Sequence, residues 1–501
     1  MRQRKQVLIR RLLTWVLLLG VTIGASWATD KRGWALPASG EATILAPNRI
    51  GGASDSGDPR DADLYPTVAY DASSGQYLAV WLTARNASSS SDGLDVYGVF
   101  LDGAGRPVGS EFRISDDNTA ALNGPPTVAA GNGEFAVAWT ARDGPCRIYA
   151  QRITDASYRA DHLLVSGTAH RHSPSLVYNP AGQRYALAYV AGDDYLPPTV
   201  FGADTGDCGN NASSSSGIGV IEFYFSGDSP VTGTTLDVSD VTSGAFRPHL
   251  AYSRALGQYL VAWEDRRSAG GEAYRFDVYA QRLSGDMTLT DSNIALATGG
   301  DYANEDASAT WTPRPAVAGG GDRFLTAWFS RDVAGSAVIW SVEGSLVSSG
   351  GTPGAVFAMA QMSFAQPHAG QAPLGFLAAA YASTAQEYLV GMTSHLESVW
   401  GYISFARIQR IRSDGQLLRM DGSPQSTPGV GYSVDYENDD QVAIGLAANP
   451  MSGTGSTNYM AVYAKHRTDQ MAQDFDIWGV RVEIPAPYGN HVYLPFVSKG
   501  R

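Results

Sequence analysis

Tyr65-Pro-Thr-Val-Ala-Tyr-Asp71, Gly75-Gln-Tyr-Leu-Ala-Val-Trp81, Asp95-Val-Tyr-Gly-Val-Phe-Leu101 and Glu111-Phe-Arg-Ile-Ser115 follow one another along the chain. Each segment is short, rich in β-branched and aromatic residues, and bounded by turn residues, which is the pattern of a strand between turns. Together they read as one four-stranded unit. The first segment returns as Pro126-Thr-Val-Ala-Ala130 and again at 174–178, 248–252, 315–318, 375–381 and 443–448. The second returns as Tyr259-Leu-Val-Ala-Trp263 and at 135–139, 185–189, 324–328, 388–391 and 459–463. The third returns as Asp277-Val-Tyr-Ala-Gln-Arg-Leu283 and at 147–153, 220–225, 338–343, 402–411 and 476–482.

Seven such units, with no sustained helical periodicity between them, predict an all-β chain folded as a seven-bladed β-propeller of four-stranded antiparallel blades. The last unit stops after its third strand. An orphan strand-like segment, Ala42-Thr-Ile-Leu-Ala-Pro-Asn-Arg-Ile50, precedes the first. Placed as the outer strand of the seventh blade, it removes a free edge and closes the ring. The predicted organisation is a signal peptide at 1–28, a linker at 29–41, one propeller at 42–484 and a tail at 485–501.

These repeats resemble those of secreted bacterial β-propeller proteins with Pro-x-Val-Ala-Tyr, Gly-x-Tyr-Leu-Val-x-Trp and Asp-Val-Tyr-Gly signatures, over roughly residues 42 to 484. The resemblance implies the architecture. It implies little about activity, because proteins with such repeats are diverse and mostly of unknown function.

Export is read from the N-terminus. Arg2, Arg4, Lys5, Arg10 and Arg11 precede an apolar run from Leu12 to Ile23, and Ala25-Ser-Trp-Ala28 supplies the small residues of a cleavage site. An uncleaved anchor is the alternative. With cleavage the chain is secreted or held at the cell surface, without a membrane span. Its two cysteines, Cys146 and Cys208, are then expected to form one disulfide, with two free thiols as the other possibility. The formal net charge of the 501-residue chain is −13, and removing residues 1–28 takes away five basic side chains and makes it −18. Nucleic acid and anionic membrane are disfavoured as partners, since both need a cationic face.

In a four-stranded meander, the loops between strands 2 and 3 share one face with the links between blades. The long insertions fall there, so a binding surface is expected on that face. Arg85, Arg142, Arg266 and Arg331 recur just after the second-strand aromatic position, beside Asp265 in one unit. They are candidates for binding a carboxylate or sulfate. Their recurrence favours a structural role instead, a tie to the backbone or to Asp95, Asp277 and Asp476, which open third strands, fixing each loop between strands 2 and 3. Asp435, Glu437 and Asp439 alternate along an extended segment and offer oxygen ligands for calcium, against a solvated acidic loop. His170 and His172 are a weaker metal candidate, and no other cofactor is called for. Glu264, Asp265, Asp332 and Glu397 supply carboxylates to the same face. No Ser-x-Asp-x-Gly-x-x-Trp box, nucleophile elbow, phosphate loop or zinc-protease motif is present. The expected function is therefore an exported, monomeric, non-catalytic propeller that binds an extracellular glycan or protein. The alternative is an extracellular polysaccharide hydrolase or lyase using carboxylates on that face.

Overall fold

The computed structural model describes residues 42–485 except 53–62, 84–93, 116–121, 143, 158, 193–207, 209–215, 241–243, 269–274, 302–313, 335–336, 366–375, 399–400, 436–440, 450–455 and 467–474. Among the described residues all regular structure is β-strand, organised as seven antiparallel sheets. Blade 1 shows the pattern: Asp63–Asp71 is innermost, followed outward by Gln76–Thr83, Asp95–Leu101 and Pro107–Arg113. The inner strands of blades 2 to 7 are Thr127–Gly131, Arg171–Asn179, Ala245–Ser253, Ala316–Gly319, Leu377–Ala382 and Gln441–Asn449. Each touches the next, and the seventh touches the first, so the sheets form a closed ring around a channel. The expected propeller is the observed one.

Closure uses the N-terminal strand. Thr43–Ile44 and Asn48–Gly51 both pair with Phe475–Pro485 of blade 7, Thr43 opposite Glu483 and Asn48 opposite Gly479. Arg49 fastens the join with a 2.9 Å ion pair to the buried carboxylate of Asp476. At Gly51 a β-carbon would lie 2.7 Å from the Trp81 ring, so glycine lets the closing strand pass over blade 1.

The second strands are buried on both faces between neighbouring blades, and their sequence is accordingly a continuous apolar run. Trp81, Trp139, Trp263 and Trp328 are fully buried in these inter-blade layers, as the repeat pattern leads one to expect. The same strands carry tyrosines that stack on the inner strand of their own blade, with ring centroids 4.7 Å apart for Tyr70 and Tyr77 and 4.8 Å for Tyr252 and Tyr259. Their hydroxyls latch onto the preceding blade: Tyr388 donates to the Arg323 carbonyl at 2.9 Å and Tyr459 to the Glu387 carbonyl at 2.8 Å. A second latch runs along the channel edge, where Thr127 and Ser175 hydroxyls accept the Leu176 and Leu250 amides of the next blade at 3.2 and 2.9 Å. These bonds satisfy inner-edge donors that no fifth strand reaches.

Cys146 and Cys208 form the expected disulfide, with a Cα separation of 5.6 Å. It joins the start of the third strand of blade 2 to the loop that precedes the third strand of blade 3. The predicted signal peptide and linker, Arg85 and the segment beyond Pro485 lie outside the described residues. Among the described residues no helix is long and apolar enough to cross a membrane.

Candidate functional site at the mouth of the channel

The inner strands are not regular. In blades 1, 3, 4 and 7 the pairing with the second strand slips near the strand start, between Leu64 and Thr67, His172 and Ser175, Phe246 and His249, and Val442 and Ile444. The residue at the slip has a positive φ: Tyr65 at 55°, Ser173 at 53°, Arg247 at 45° and Ala443 at 51°. Arg314, at 43°, occupies the same position of blade 5. Left-handed backbone is unfavourable for side-chain-bearing residues, especially ahead of a proline, as at Tyr65-Pro66, Ser173-Pro174, Arg247-Pro248 and Arg314-Pro315. Its repetition in five blades marks a built feature, and a bulge of this kind re-aims one side chain per blade.

Counted from the Tyr70 to Tyr77 register, the equivalent residues of blades 2 and 6 are Pro125 and Phe376. The backbone conformation repeats in five of the seven blades while the chemistry varies. Tyr65, Pro125, Ser173, Arg247, Arg314, Phe376 and Ala443 comprise two arginines, two aromatics and three smaller residues. The bulky members converge: the rings of Tyr65 and Phe376 meet edge to face at 5.5 Å, although blade 7 separates their blades. Ala443 is the residue between them, and its small side chain leaves the gap they bridge. The guanidinium of Arg314 lies 4.8 Å from the Phe376 ring centre.

Glu264 ties this cluster together. The equivalent position holds Leu82 in blade 1, Val190 in blade 3 and Ala464 in blade 7. In blade 4 it is a glutamate with no solvent exposure. One carboxylate oxygen accepts Arg247 Nη1 at 2.6 Å and the other accepts the Arg314 backbone amide at 2.8 Å. A buried carboxylate requires such partners. Burial, and then the charge of Arg247 close by, draw the Arg314 guanidinium down to about 10. Burial raises the Tyr65 phenol, with Arg314 opposing, so Tyr65 is a neutral donor at neutral pH. One step along the inner strand, His249 accepts the Val317 amide on Nδ1 at 3.2 Å, and burial lowers it to about 4. Its proton at neutral pH is therefore on Nε2.

The residues singled out in the sequence occupy other places. Asp265 is fully buried, receiving Trp263 Nε1 at 2.8 Å and the Arg267 guanidinium at 2.9 and 2.8 Å. Arg142, Arg266 and Arg331 are half-buried, each on the second-to-third hairpin of its own blade. The third-strand aspartates tie to the outer strand: Asp277 accepts the Gly299 amide at 2.7 Å, Asp95 accepts Ser115 Oγ at 3.2 Å, and Asp476 holds Arg49. The anticipated structural role of these aspartates thus falls on the blade rim. Asp435 is buried against Lys465 Nζ and Tyr463 Oη, both at 3.0 Å, while Glu437 and Asp439 lie outside the described residues. His170 accepts the Cys146 amide at 3.0 Å, and His172 contacts Ser173 Oγ at 3.0 Å. Among the described residues no group of three potential metal ligands is assembled.

Sequence reading did not reach Tyr65, Arg247, Arg314 or Phe376. For Tyr65, Arg247 and Arg314 the available signal was the variable residue just before the proline that five of the seven units share; Phe376, followed by Leu377, had no such mark.

No protein-family model and no curated protein matches the chain. Among solved structures it is similar to the Trypanosoma rangeli sialidase in complex with the inhibitor DANA, at 7% identity and a TM-score of 0.42, over 89% of this chain and 60% of that one. The Hadza microbial sialidase Hz136 matches at 11% identity and 0.41, over 70% and 66% of the two chains. The parainfluenza virus 5 hemagglutinin-neuraminidase ectodomain matches at 9% and 0.37, over 72% and 82%. This chain thus spans about three fifths of the trypanosomal protein's length. At these scores the likenesses carry no functional argument, and the propeller assignment stands on the strand pairings.

Proposed function

We propose that this chain is a non-catalytic binding propeller of the extracellular space, which takes an anionic group of its ligand at the mouth of the central channel. The observation that carries this reading is the approach of Arg247 and Arg314. Glu264 holds Arg247 through a 2.6 Å ion pair and Arg314 through its backbone amide, and the two guanidiniums are thereby kept within electrostatic reach of each other. Two adjacent guanidiniums attract an incoming anion, and such groups bind carboxylate or sulfate with directional, charge-assisted hydrogen bonds. The net negative charge of the rest of the chain makes the mouth an exception in its own surface and disfavours polyanions that need a broad cationic face.

Calorimetric titration of the full chain with acidic and neutral oligosaccharides tests this. Acidic ligands are expected to bind, with affinity falling as salt rises, and Arg314→Gln to weaken them about tenfold or more. Equal binding of neutral ligands, or an unaffected Arg314→Gln variant, overturns the proposal. Recovery of the oligosaccharide intact is expected, and release of new reducing or unsaturated ends would establish the hydrolase or lyase alternative instead.

A further inference from the structure

The seams between blades are not tied alike at the inner edge. Between blades 2 and 3, 3 and 4, and 4 and 5, a side chain of one inner strand accepts an amide of the next: Thr127 takes Leu176 at 3.2 Å, Ser175 takes Leu250 at 2.9 Å and His249 takes Val317 at 3.2 Å. The Cys146–Cys208 disulfide adds a covalent tie between blades 2 and 3, and Glu264 of blade 4 holds the Arg314 amide of blade 5 at 2.8 Å. The register position of Thr127, Ser175 and His249 is occupied by Ala316 in blade 5, Ala378 in blade 6 and Gly445 in blade 7. These residues carry no side-chain acceptor, so the seams 5–6, 6–7 and 7–1 go without the latch. Blades 6 and 7 therefore have an unlatched seam on either side. The inner strand of blade 6 is also the more open one: the first five of the six residues Leu377–Ala382 are half-buried, whereas Asp63–Asp71 and Ala245–Ser253 each bury six of nine. At the short-turn end the seams 5–6 and 6–7 are held, through the Tyr388 and Tyr459 hydroxyls.

What spans the unlatched seams at the mouth is a chain of side chains. The 5.5 Å contact of Tyr65 with Phe376 crosses from blade 1 to blade 6 over Ala443, and the Arg314 guanidinium of blade 5 lies 4.8 Å from the Phe376 ring centre. We propose that the mouth ends of blades 6 and 7 form an opening sector of the ring, and that Arg314, Phe376 and Tyr65 are the clasp that holds it shut. The short-turn ends, kept by the tyrosines, are its pivot. Local opening is drawn from the part of a fold with the fewest ties, and a contact between side chains is released more readily than a strand pairing. Opening there widens the channel mouth on one side while blades 2 to 5 stay joined. The inference is independent of the anion-binding reading, since it stands on the seam bonds, and its test uses no ligand.

Hydrogen exchange of the full chain, followed by mass spectrometry, reads the second strands, whose amides are bonded within their own sheets. Those of blades 6 and 7, Glu387–Ser398 and Ser456–His466, are expected to exchange about tenfold or more faster than those of blades 3 and 4, Arg184–Ala191 and Gln258–Asp265. Phe376→Ala removes the middle of the clasp and should speed exchange in blades 6 and 7 about tenfold further, with blades 3 and 4 unchanged. Tyr65→Ala serves if that variant does not fold. Ala316→Ser combined with Ala378→Ser gives the seams 5–6 and 6–7 the hydroxyl that Ser175 supplies between blades 3 and 4, and should slow exchange in blades 6 and 7 about fivefold. Gly445 is left in place, because a β-carbon there would lie 2.8 Å from Thr67 Cα. Equal exchange in blades 3, 4, 6 and 7 of the parent overturns the opening sector. A clasp variant that speeds all four blades alike, or none, overturns the clasp, and added serines that leave blades 6 and 7 unchanged overturn the role given to the missing latch.

Discussion

Each inner strand has two ends, five residues apart in the repeat, and they behave in opposite ways. At the end near the short turns, Tyr70, Tyr178, Tyr252 and Tyr381 stack on Tyr77, Tyr185, Tyr259 and Tyr388 with nearly one geometry, centroids 4.7 to 5.0 Å apart. At the mouth, five of the seven equivalent residues keep a common backbone, while the side chains range from Ala and Ser to Arg and Tyr. A fold built from repeats needs sameness where blades lock together, and a site that recognises an asymmetric ligand needs difference. The contrast separates the two roles within a single strand. It also places the repeated Arg142, Arg266 and Arg331 apart from the asymmetric cluster.

Substitutions at the two kinds of position should therefore act on different observables. The largest effect on stability is expected from the repeated layer. Trp139→Ala removes a fully buried indole between blades 1 and 2 and should lose about 3–5 kcal/mol in denaturant unfolding. While the variant is folded, ligand affinity should be near that of the parent. A large affinity loss with intact stability would break the comparison. At the asymmetric position, Glu264→Leu installs the residue that blade 1 has there. It releases Arg247 from its 2.6 Å partner. The expected loss is about 2 kcal/mol, below the usual 3–5 for a wholly buried pair because Arg247 keeps contact with solvent, and anion affinity should change together with stability. Unchanged binding in this variant would remove Glu264 from the positioning role. The latch is smaller still. Tyr388→Phe deletes the 2.9 Å bond to Arg323 and should lose about 1 kcal/mol without touching ligand binding.

His249 gives the most specific signal, through pH. Its folded value is lowered to about 4, so between that value and the ordinary 6.5 the unfolded chain binds the extra proton. The contribution is fully present above pH 6.5 and is lost as pH falls towards 4. Replacing His249 by Gln should flatten this part of the stability profile. An unchanged slope would show that the imidazole titrates normally and is not enclosed.

The architecture was legible in the sequence because packing and repetition leave direct traces there. The continuous apolar second strands record burial on both faces, the Trp and Tyr positions record the inter-blade layers, and the orphan segment before the first repeat revealed the closure at Phe475–Pro485. The pairing of Cys146 with Cys208 followed from the expected export and an even cysteine count. The mouth was not legible, because it depends on a backbone state that residue type does not announce. Tyr, Ser and Arg before a proline, or Ala before an isoleucine, give no reason to expect a positive φ. Without the bulge, Arg247 and Arg314 read as two arginines at strand starts. Asp265, a more conspicuous carboxylate in the sequence, is a buried anchor for Trp263 and Arg267. Glu264 was visible as a carboxylate on the right face, but its function as a brace between two blades needed the partners' coordinates.

The closing strand has a kinetic consequence. Blade 7 unites residues 43–51 with residues 441–485, so its sheet is the most non-local pairing in the chain. The loop-closure entropy for ends some 400 residues apart amounts to about 5 kcal/mol before any contact compensates it, unless the intervening blades have already brought them together. The efficient order is therefore successive blade assembly, with the seal last. Until then Phe475–Pro485 presents an unpaired row of amides and carbonyls, the kind of edge that another chain can occupy. A copy whose N-terminal segment is late or missing has its place open to the same segment of a neighbour, which makes strand exchange between rings the characteristic misassembly of this fold.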